Sequence, residues 1–359
     1  MNPPFDAVLT VDLDALAENY RTLVRQAAGA EVAPVVKADA YGLGAPEVTR
    51  RLLADGARTV FVARVSEGVR LRTAIGPGPV IYVLDGCPAG AAPTLRDAAL
   101  TPVLNTVQQL FAWAAAGGGP AGLMIDTGLN RLGLSLAEAE AFAASPHPTE
   151  PVEIRLVMSH LACADQPHHP MNVKQRDRFT AIAARFPSAR RSLAASDGLF
   201  LGSSFAFELV RTGICLYGGG PEGRPDPRIK PVATLEAPIL QLRTVAIGES
   251  IGYGAAWTAT RTTRAAVVGV GYADGVLRAS SPRAYGSLAG RRCAVLGRIS
   301  MDLTLFDITD HPEPLPGQMM QIIGPEVPVD EAAAAAGTIA YEVLTRIGAR
   351  AERQYRGRR

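Results

Sequence analysis

The sequence predicts an α/β protein: an N-terminal (β/α)8 barrel followed by a C-terminal domain built mainly of strands. Three observations carry this. Eight short apolar runs alternate with helix-like periodicity through the first two-thirds of the chain, the strand and helix count of such a barrel. The texture then changes at Pro221-Glu222-Gly223-Arg224-Pro225-Asp226-Pro227, too rich in Pro and Gly to continue either element. Beyond it the apolar runs are strand-like and split by Gly and Pro. The pattern alone leaves a doubly wound sheet open as the alternative.

Taken in order, a helix is expected near Asp12, where Asp12-Leu13-Asp14-Ala15-Leu16 joins a capping side chain to apolar spacing. The eight barrel strands are expected at 32–36, 58–63, 79–84, 101–104, 121–125, 153–158, 191–194 and 208–217. Helical spacing falls between them at 66–73, 106–116, 135–144 and 172–186, with Thr106 and Ser135 as capping residues. The barrel is assigned to 9–231. The second domain takes 232–359, which residues 1–8 can join. Within it, strands are expected at 233–246, 265–270, 292–296 and 318–323, and helices at 330–336 and 341–346.

Composition excludes several classes. The 48% hydrophobic content suits a large core, and 19% charged is ordinary for a soluble protein. A net charge of +2 provides no basic surface for nucleic acid or anionic lipid, so neither partner is expected. Residues 351–359 hold four arginines and are expected to form a solvated basic tail. Cys87, Cys163, Cys215 and Cys293 lie far apart, without a CxxC pair or His/Cys ligand spacing; free thiols, a reducing compartment and no metal site are expected. The N-terminus lacks an export-type pattern, and no apolar stretch approaches the ~18 residues of a membrane helix. A cytoplasmic protein is expected.

Catalytic groups of a (β/α)8 barrel sit at the carboxyl ends of its strands. Of 36 basic residues only Lys37, Lys174 and Lys230 are lysines, and Lys37 ends the first apolar run. Lysine, unlike arginine, can lose its proton and form a Schiff base. Asp126-Thr127-Gly128-Leu129-Asn130-Arg131 follows the fifth strand, Ser159-His160 the sixth, Ser196-Asp197-Gly198 the seventh, and Arg211-Thr212-Gly213-Ile214 the eighth. Singly, each has an ordinary explanation: a solvated lysine, a core histidine, ion-pair arginines, a turn serine. Together they offer an amine, an imidazole, two guanidiniums, a hydroxyl and Gly-bearing turns whose amides can cradle a phosphate. That inventory suits a phosphorylated aldehyde cofactor held by one lysine.

At this point the motifs become recognisable. Val35-Val36-Lys37-Ala38-Asp39-Ala40-Tyr41-Gly42-Leu43-Gly44 resembles the pyridoxal-phosphate lysine motif of the alanine racemase family. The resemblance continues through Asp126–Gly133, Met158–Asp165, Val210–Gly218, Ile251–Gly254, Gly271–Gly275 and Gly297–Asp302, so it spans both domains.

The resemblance implies a pyridoxal 5'-phosphate-dependent isomerase that interconverts L-alanine and D-alanine, either supplying D-alanine for peptidoglycan or breaking it down. It implies that Lys37 carries the cofactor and serves as base or acid on one face of the substrate. Tyr253 corresponds to the second base, reaching the opposite face from the other subunit of a homodimer, with its phenol coupled to His160 and Arg211. Two bases suit racemisation, because a proton removed from one face and returned to the other inverts the centre. Arg211 also corresponds to the group facing the pyridine nitrogen, which an arginine leaves unprotonated. Tyr41, Ser196, the amides of Gly213 and Ile214, and Tyr341 correspond to the phosphate site. Arg131 corresponds to the group near the substrate carboxylate, Met301 to a residue reaching the partner's site, and Asp165, Tyr272, Arg278 and Arg298 to an access corridor.

Three positions depart from the family pattern. Met124 stands where many members carry a carbamylated lysine that steadies the active-site arginine, so Arg131 is expected to be held otherwise, by Asn130 or a bound anion. Asp39 and Leu43 replace a commoner asparagine and histidine. The competing readings are a broad-specificity racemase of the same fold acting on serine or basic amino acids, since a pocket discriminates a methylene or hydroxyl only ~10–200-fold, and a decarboxylase of the same barrel class. From another class comes a catalytically silent cofactor carrier, which has no use for Tyr253.

Overall fold

The computed structural model describes residues 5–144 and 151–358. Residues 1–4 and Arg359, both within the expected second domain, lie outside the described residues. The chain divides into two compact units. One is residues 17–216; the other joins the first sixteen residues to 217–358.

After β1 (Val8–Asp12) come the eight strands of the first unit: β2 (Glu31–Pro34), β3 (Thr59–Val62), β4 (Val80–Val83), β5 (Thr101–Leu104), β6 (Gly119–Met124), β7 (Val152–Met158), β8 (Arg190–Ser192) and β9 (Leu209–Thr212). Strands β3 to β8 form one parallel sheet and β2 pairs with β9. Parallel bridges Val35–Phe61 and Ala195–Arg211 join the two pieces into a closed ring. Closure excludes the doubly wound alternative. Strands such as β3 and β9 are covered on both faces, as parallel sheets require. All four residues of β3 are buried, and Phe61 stacks on Tyr82 with ring centroids 5.0 Å apart.

The expected caps operate. Asp12 Oδ1 accepts from the amides of Asp14 and Ala15 at the start of helix Leu13–Gln26. Thr106 Oγ1 accepts from Gln109 N at 3.1 Å. Ser135 and Glu138 form a reciprocal capping box, Ser135 Oγ accepting at 3.2 Å and Glu138 Oε2 at 2.8 Å. Helices Ala45–Ala54 and Ala92–Asp97 were not foreseen. Each carries a proline in its first turn, where the missing N–H costs nothing, and proline reads more readily as a breaker.

The second unit is mainly strand: β10 (Ala233–Val245), β11 (Ser250–Ile251), β12 (Trp257–Thr258), β13 (Thr263–Val268), β14 (Tyr285–Leu288), β15 (Arg291–Ala294), β16 (Thr304–Asp307), β17 (Met319–Ile323) and β18 (Glu352–Arg356). The register of β10 shifts between Ile239 and Gln241, so its first half pairs with β17 and its second with β13. Through β13–β16, the Val295–Phe306 bridge and β15–β14–β17, the strands close into a second ring. Buried Phe306 packs inside, so close to Gly286 that a Cβ there would sit 2.9 Å from its ring. One expectation fails. The arginine-rich end is not a solvated tail: β18 pairs in parallel with β1, whose other edge is held by β10, and Arg356 donates twice to Asp12 Oδ2.

Candidate active site

Lys37 leaves the barrel wall directly after β2, where Val36 N donates to Phe61 O at 2.8 Å. The four residues that follow, Ala38, Asp39, Ala40 and Tyr41, all take left-handed φ values of 52, 56, 52 and 59°. Each such residue costs roughly 1–2 kcal/mol without compensation. The turn is held by Gly42 N on Ala38 O at 2.8 Å, Gly44 N on Asp39 O at 2.9 Å, and Asp39 Oδ1 on Ala45 N at 2.8 Å. Asp39 thus has a structural use that asparagine's oxygen can also serve. Burial, then the charge of Arg131, pulls the Lys37 amine below the usual lysine range; Arg211 adds to this, while Glu67 and Asp85 oppose it. A lysine so placed releases its proton more readily.

Arg211 is buried on β9. Its Nη1 donates to Ser192 Oγ at 2.5 Å, and its Nη2 to the carbonyls of Ser159 (2.5 Å) and Leu193 (3.2 Å), and lies 3.4 Å from His160 Nδ1. All these partners are neutral. Burial lowers its guanidinium to about 9, still charged at neutral pH. Burial and the charges of Arg211, Arg131 and Lys37 push the His160 imidazole down to about 3, so the ring is neutral. Since Arg211 can only donate, Nδ1 must accept, which leaves the proton on Nε2.

A third group gathers at the ends of β8 and β9. Ser196 Oγ accepts from Gly213 N at 3.0 Å and from Cys215 N at 3.4 Å. A Cβ on Gly213 would lie 2.2 Å from Tyr41 Oη, so only glycine lets that phenol approach. Ile214 begins the short 3-10 turn Ile214–Leu216, which ends β9 earlier than the expected 217. Ser196 Oγ holds the Gly213 and Cys215 amides in the place a phosphate oxygen could take, and with the Tyr41 phenol beside them the group suits a phosphate. With the half-buried Lys37 and the buried, charged Arg211, the donor set fits a phosphorylated pyridine aldehyde.

In the second unit, Tyr253 sits between Gly252 and Gly254, whose φ values of 77 and 70° shape its turn. Arg298 lies against that turn, 3.0 Å from where a Gly254 Cβ would be. Tyr272 N donates to Ser300 O and Ala273 N to Met301 O, each at 3.0 Å, and Ile299 N donates to Ser281 Oγ beside the Arg278 turn. Tyr253, Tyr272, Arg278, Arg298 and Met301 therefore occupy neighbouring loops. Tyr253, Tyr272 and Met301 are 69, 42 and 53% exposed and stand on these neighbouring loops. Tyr341 stands in the first turn of helix Ala340–Arg346.

The remaining positions are less tightly tied. Arg131 is exposed on the loop after β6, and among the described residues no hydrogen bond joins it to Asn130, which does not supply the expected support. Met124 is buried against Gly133. Asp165 is exposed on the loop after β7.

Sequence reasoning missed the supports. Ser192 passes its hydrogen to Leu209 O while receiving Arg211. Fully buried Gln175 donates to His160 O at 2.9 Å and to Thr127 Oγ1 at 3.3 Å, and accepts from Ala162 N. Arg350 donates twice to buried Asp274 and once to Asp302, tying the Tyr272 and Met301 loops together. A polar residue in the middle of an apolar helix stripe is the one signal that could have found Gln175; the others have none.

Among the described residues no group of His, Cys, Asp or Glu is placed to hold a metal ion, and no helix is long and apolar enough to cross a membrane.

Comparison with known proteins matches this arrangement. Residues 11–221 match the family model of the alanine racemase N-terminal domain and 232–355 that of its C-terminal domain. An alanine racemase of Rhodospirillum rubrum is 48% identical over 360 residues, covering 98% of this chain and 96% of the relative. A catabolic alanine racemase of Mesorhizobium japonicum is 44% identical, covering 98% and 93%. The crystal structure of alanine racemase from Bartonella henselae with covalently bound pyridoxal phosphate superposes with a TM-score of 0.92 at 35% identity, covering 98% of this chain and all of that one. With both family domains matched in order along its length, the chain belongs to the alanine racemase family.

Proposed function

We propose that this chain interconverts L-alanine and D-alanine as a homodimer with shared active sites, using Lys37 and the partner's Tyr253 as the two bases. The observation that carries the reading is the cluster at the barrel mouth: a half-buried amine, a charged guanidinium with neutral partners, and a phenol and hydroxyl beside backbone amides. When bound, pyridoxal phosphate supplies the electron sink that makes the α-proton removable.

The chain's own residues do the rest. Lys37, whose amine burial makes readier to give up its proton, takes or returns a proton on one face. Tyr41, Ser196, the amides of Gly213 and Ile214, and Tyr341 would hold the phosphate, the Gly213 amide exchanging Ser196 Oγ for a phosphate oxygen. Arg211 keeps its protons, so it leaves the ring nitrogen unprotonated and limits side reactions. Arg131 receives the substrate carboxylate. His160, with its hydrogen on Nε2, donates to the phenol oxygen of Tyr253 and helps it act as a base at neutral pH. Met301 reaches across to the partner's site, while Asp165, Tyr272, Arg278 and Arg298 line the way in. Four free cysteines suit a cytoplasmic setting.

Mixing two inactive variants, Lys37→Ala and Tyr253→Phe, tests the reading. If the tyrosine acts across the interface, each mixed dimer contains one intact site, and alanine racemisation returns. No recovery in dimers shown to have exchanged subunits refutes shared sites. Faster turnover of serine, arginine or lysine than of alanine refutes the substrate.

A further inference from the structure

The left-handed turn after Lys37 holds its own downstream end through Gly42, Gly44 and Asp39, but its first amide, Ala38 N, donates outward. The acceptor is Glu67 Oε1 at 2.9 Å. The other oxygen of the same carboxylate accepts from Ala63 N at 2.8 Å and Arg64 N at 3.2 Å, the two amides that follow β3. One side chain thus joins the ends of two neighbouring barrel strands on either side of the lysine. Beneath this join, the Val35–Phe61 bridge and the Val36 N–Phe61 O bond tie the same two strands. Lys37 is therefore fixed from below by strand pairing and from above by Glu67.

We propose that Glu67 is a positioning residue for the reaction, holding Lys37 in line by anchoring the turn that follows it. The proposal rests on the reading of Lys37 as the cofactor lysine. Three bonds to one carboxylate are charge-assisted and oriented, which suits a backbone that must keep four left-handed residues in register. Glu67 also acts on the amine by charge. The groups facing Lys37 are Arg131 after β6, Arg211 on β9, neutral His160 after β7, Asp85 after β4 and Glu67 itself; the two carboxylates favour the protonated amine and the arginines oppose it. Glu67→Gln keeps the shape, removes the charge and turns an amide nitrogen toward backbone donors.

The chain's three lysines make this measurable without turnover. In the full-length chain freed of cofactor, trace acetylation across a pH series, read on the peptides of Lys37, Lys174 and Lys230, reports each amine's titration. Glu67→Gln is expected to lower the Lys37 midpoint by ~1 pH unit, leaving the other two unmoved. In the loaded enzyme kcat is expected to fall ~10–100-fold, with a smaller change in KM. Glu67→Asp retains the charge with a shorter reach, so it restores the midpoint but not kcat. An unmoved Lys37 midpoint in Glu67→Gln, or full kcat, overturns the proposal. If the unaltered chain neither racemises alanine nor joins the cofactor through Lys37, the functional reading falls instead, and the acetylation midpoints still decide what Glu67 does.

Discussion

Replacing Gly213 by alanine puts one methyl group where the cradle has no room. The added Cβ would lie 2.2 Å from Tyr41 Oη and 3.0 Å from Tyr41 Cζ, well inside the separation of about 3.5–4.0 Å at which carbon contacts become favourable. Gly213 is not in the left-handed region, so alanine itself suffers no backbone strain and the whole effect is contact. Tyr41 cannot easily retreat: it is 4% exposed, and its own φ of 59° belongs to the anchored turn after Lys37. Overpacking of this kind costs about 1–3 kcal/mol. The loss divides between stability, if the phenol stays, and cofactor affinity, if it is driven out. Urea unfolding of the cofactor-free protein measures the first, and equilibrium titration with pyridoxal phosphate the second, where the same energy corresponds to ~5–150-fold weaker binding. In Tyr41→Phe the nearest clashing atom is gone, so Gly213→Ala should do less harm in that background. Wild-type stability together with wild-type affinity in Gly213→Ala refutes the reasoning.

Other expectations follow from the same geometry. Tyr253→Phe should retain the cofactor, because Tyr41, Ser196 and Arg211 hold it, yet lose at least ~100-fold in racemisation; near-normal turnover would remove Tyr253 from the mechanism. His160 titrates at about 3 when folded but near 6.5 when unfolded, so only the unfolded chain gains this proton between those values. Stability is therefore whole above pH 6.5 and falls as pH drops toward 3, by at most about 1.4 kcal/mol per unit. His160→Asn should flatten that acid slope in urea titrations, and an unchanged slope would locate the acid sensitivity elsewhere. Arg350→Ala should raise KM for alanine severalfold, since it frees the Tyr272 and Met301 loops together; steady-state kinetics in both directions check this, and an unaltered kcat/KM would show that the loops keep their place without it.

The barrel was legible because strands such as Thr-Val-Phe-Val of β3 are short, apolar and buried, and because Thr106 and Ser135 carry their capping chemistry in their own side chains. Pro46 and Pro93 concealed helix starts, since proline marks a first turn and a break alike. The strand β18, Glu-Arg-Gln-Tyr-Arg, hides its pattern because exposed Glu352, Gln354 and Arg356 alternate with half-buried Arg353 and Tyr355 at a sheet edge, where polar side chains are tolerated. Lys37, Arg211 and Ser196 could be placed by their positions at strand ends. Glu67, Gln175 and Arg350 could not, because each gains its meaning from backbone groups that approach only after folding.

The pairing of β1 between β10 and β18 has a consequence for synthesis. Val8–Asp12 is synthesised 344 residues ahead of its parallel partner Glu352–Arg356. At translation rates of roughly 5–20 residues per second, the first strand waits tens of seconds for its neighbour, long enough for the intervening barrel to fold. Its pairing with β10 can form earlier, but its other edge stays open until β18 arrives, the kind of strand edge that invites wrong pairing. Removing Glu352–Arg356 should therefore leave an edge of Val8–Asp12 open as well, so the loss is felt more than 300 residues away in sequence.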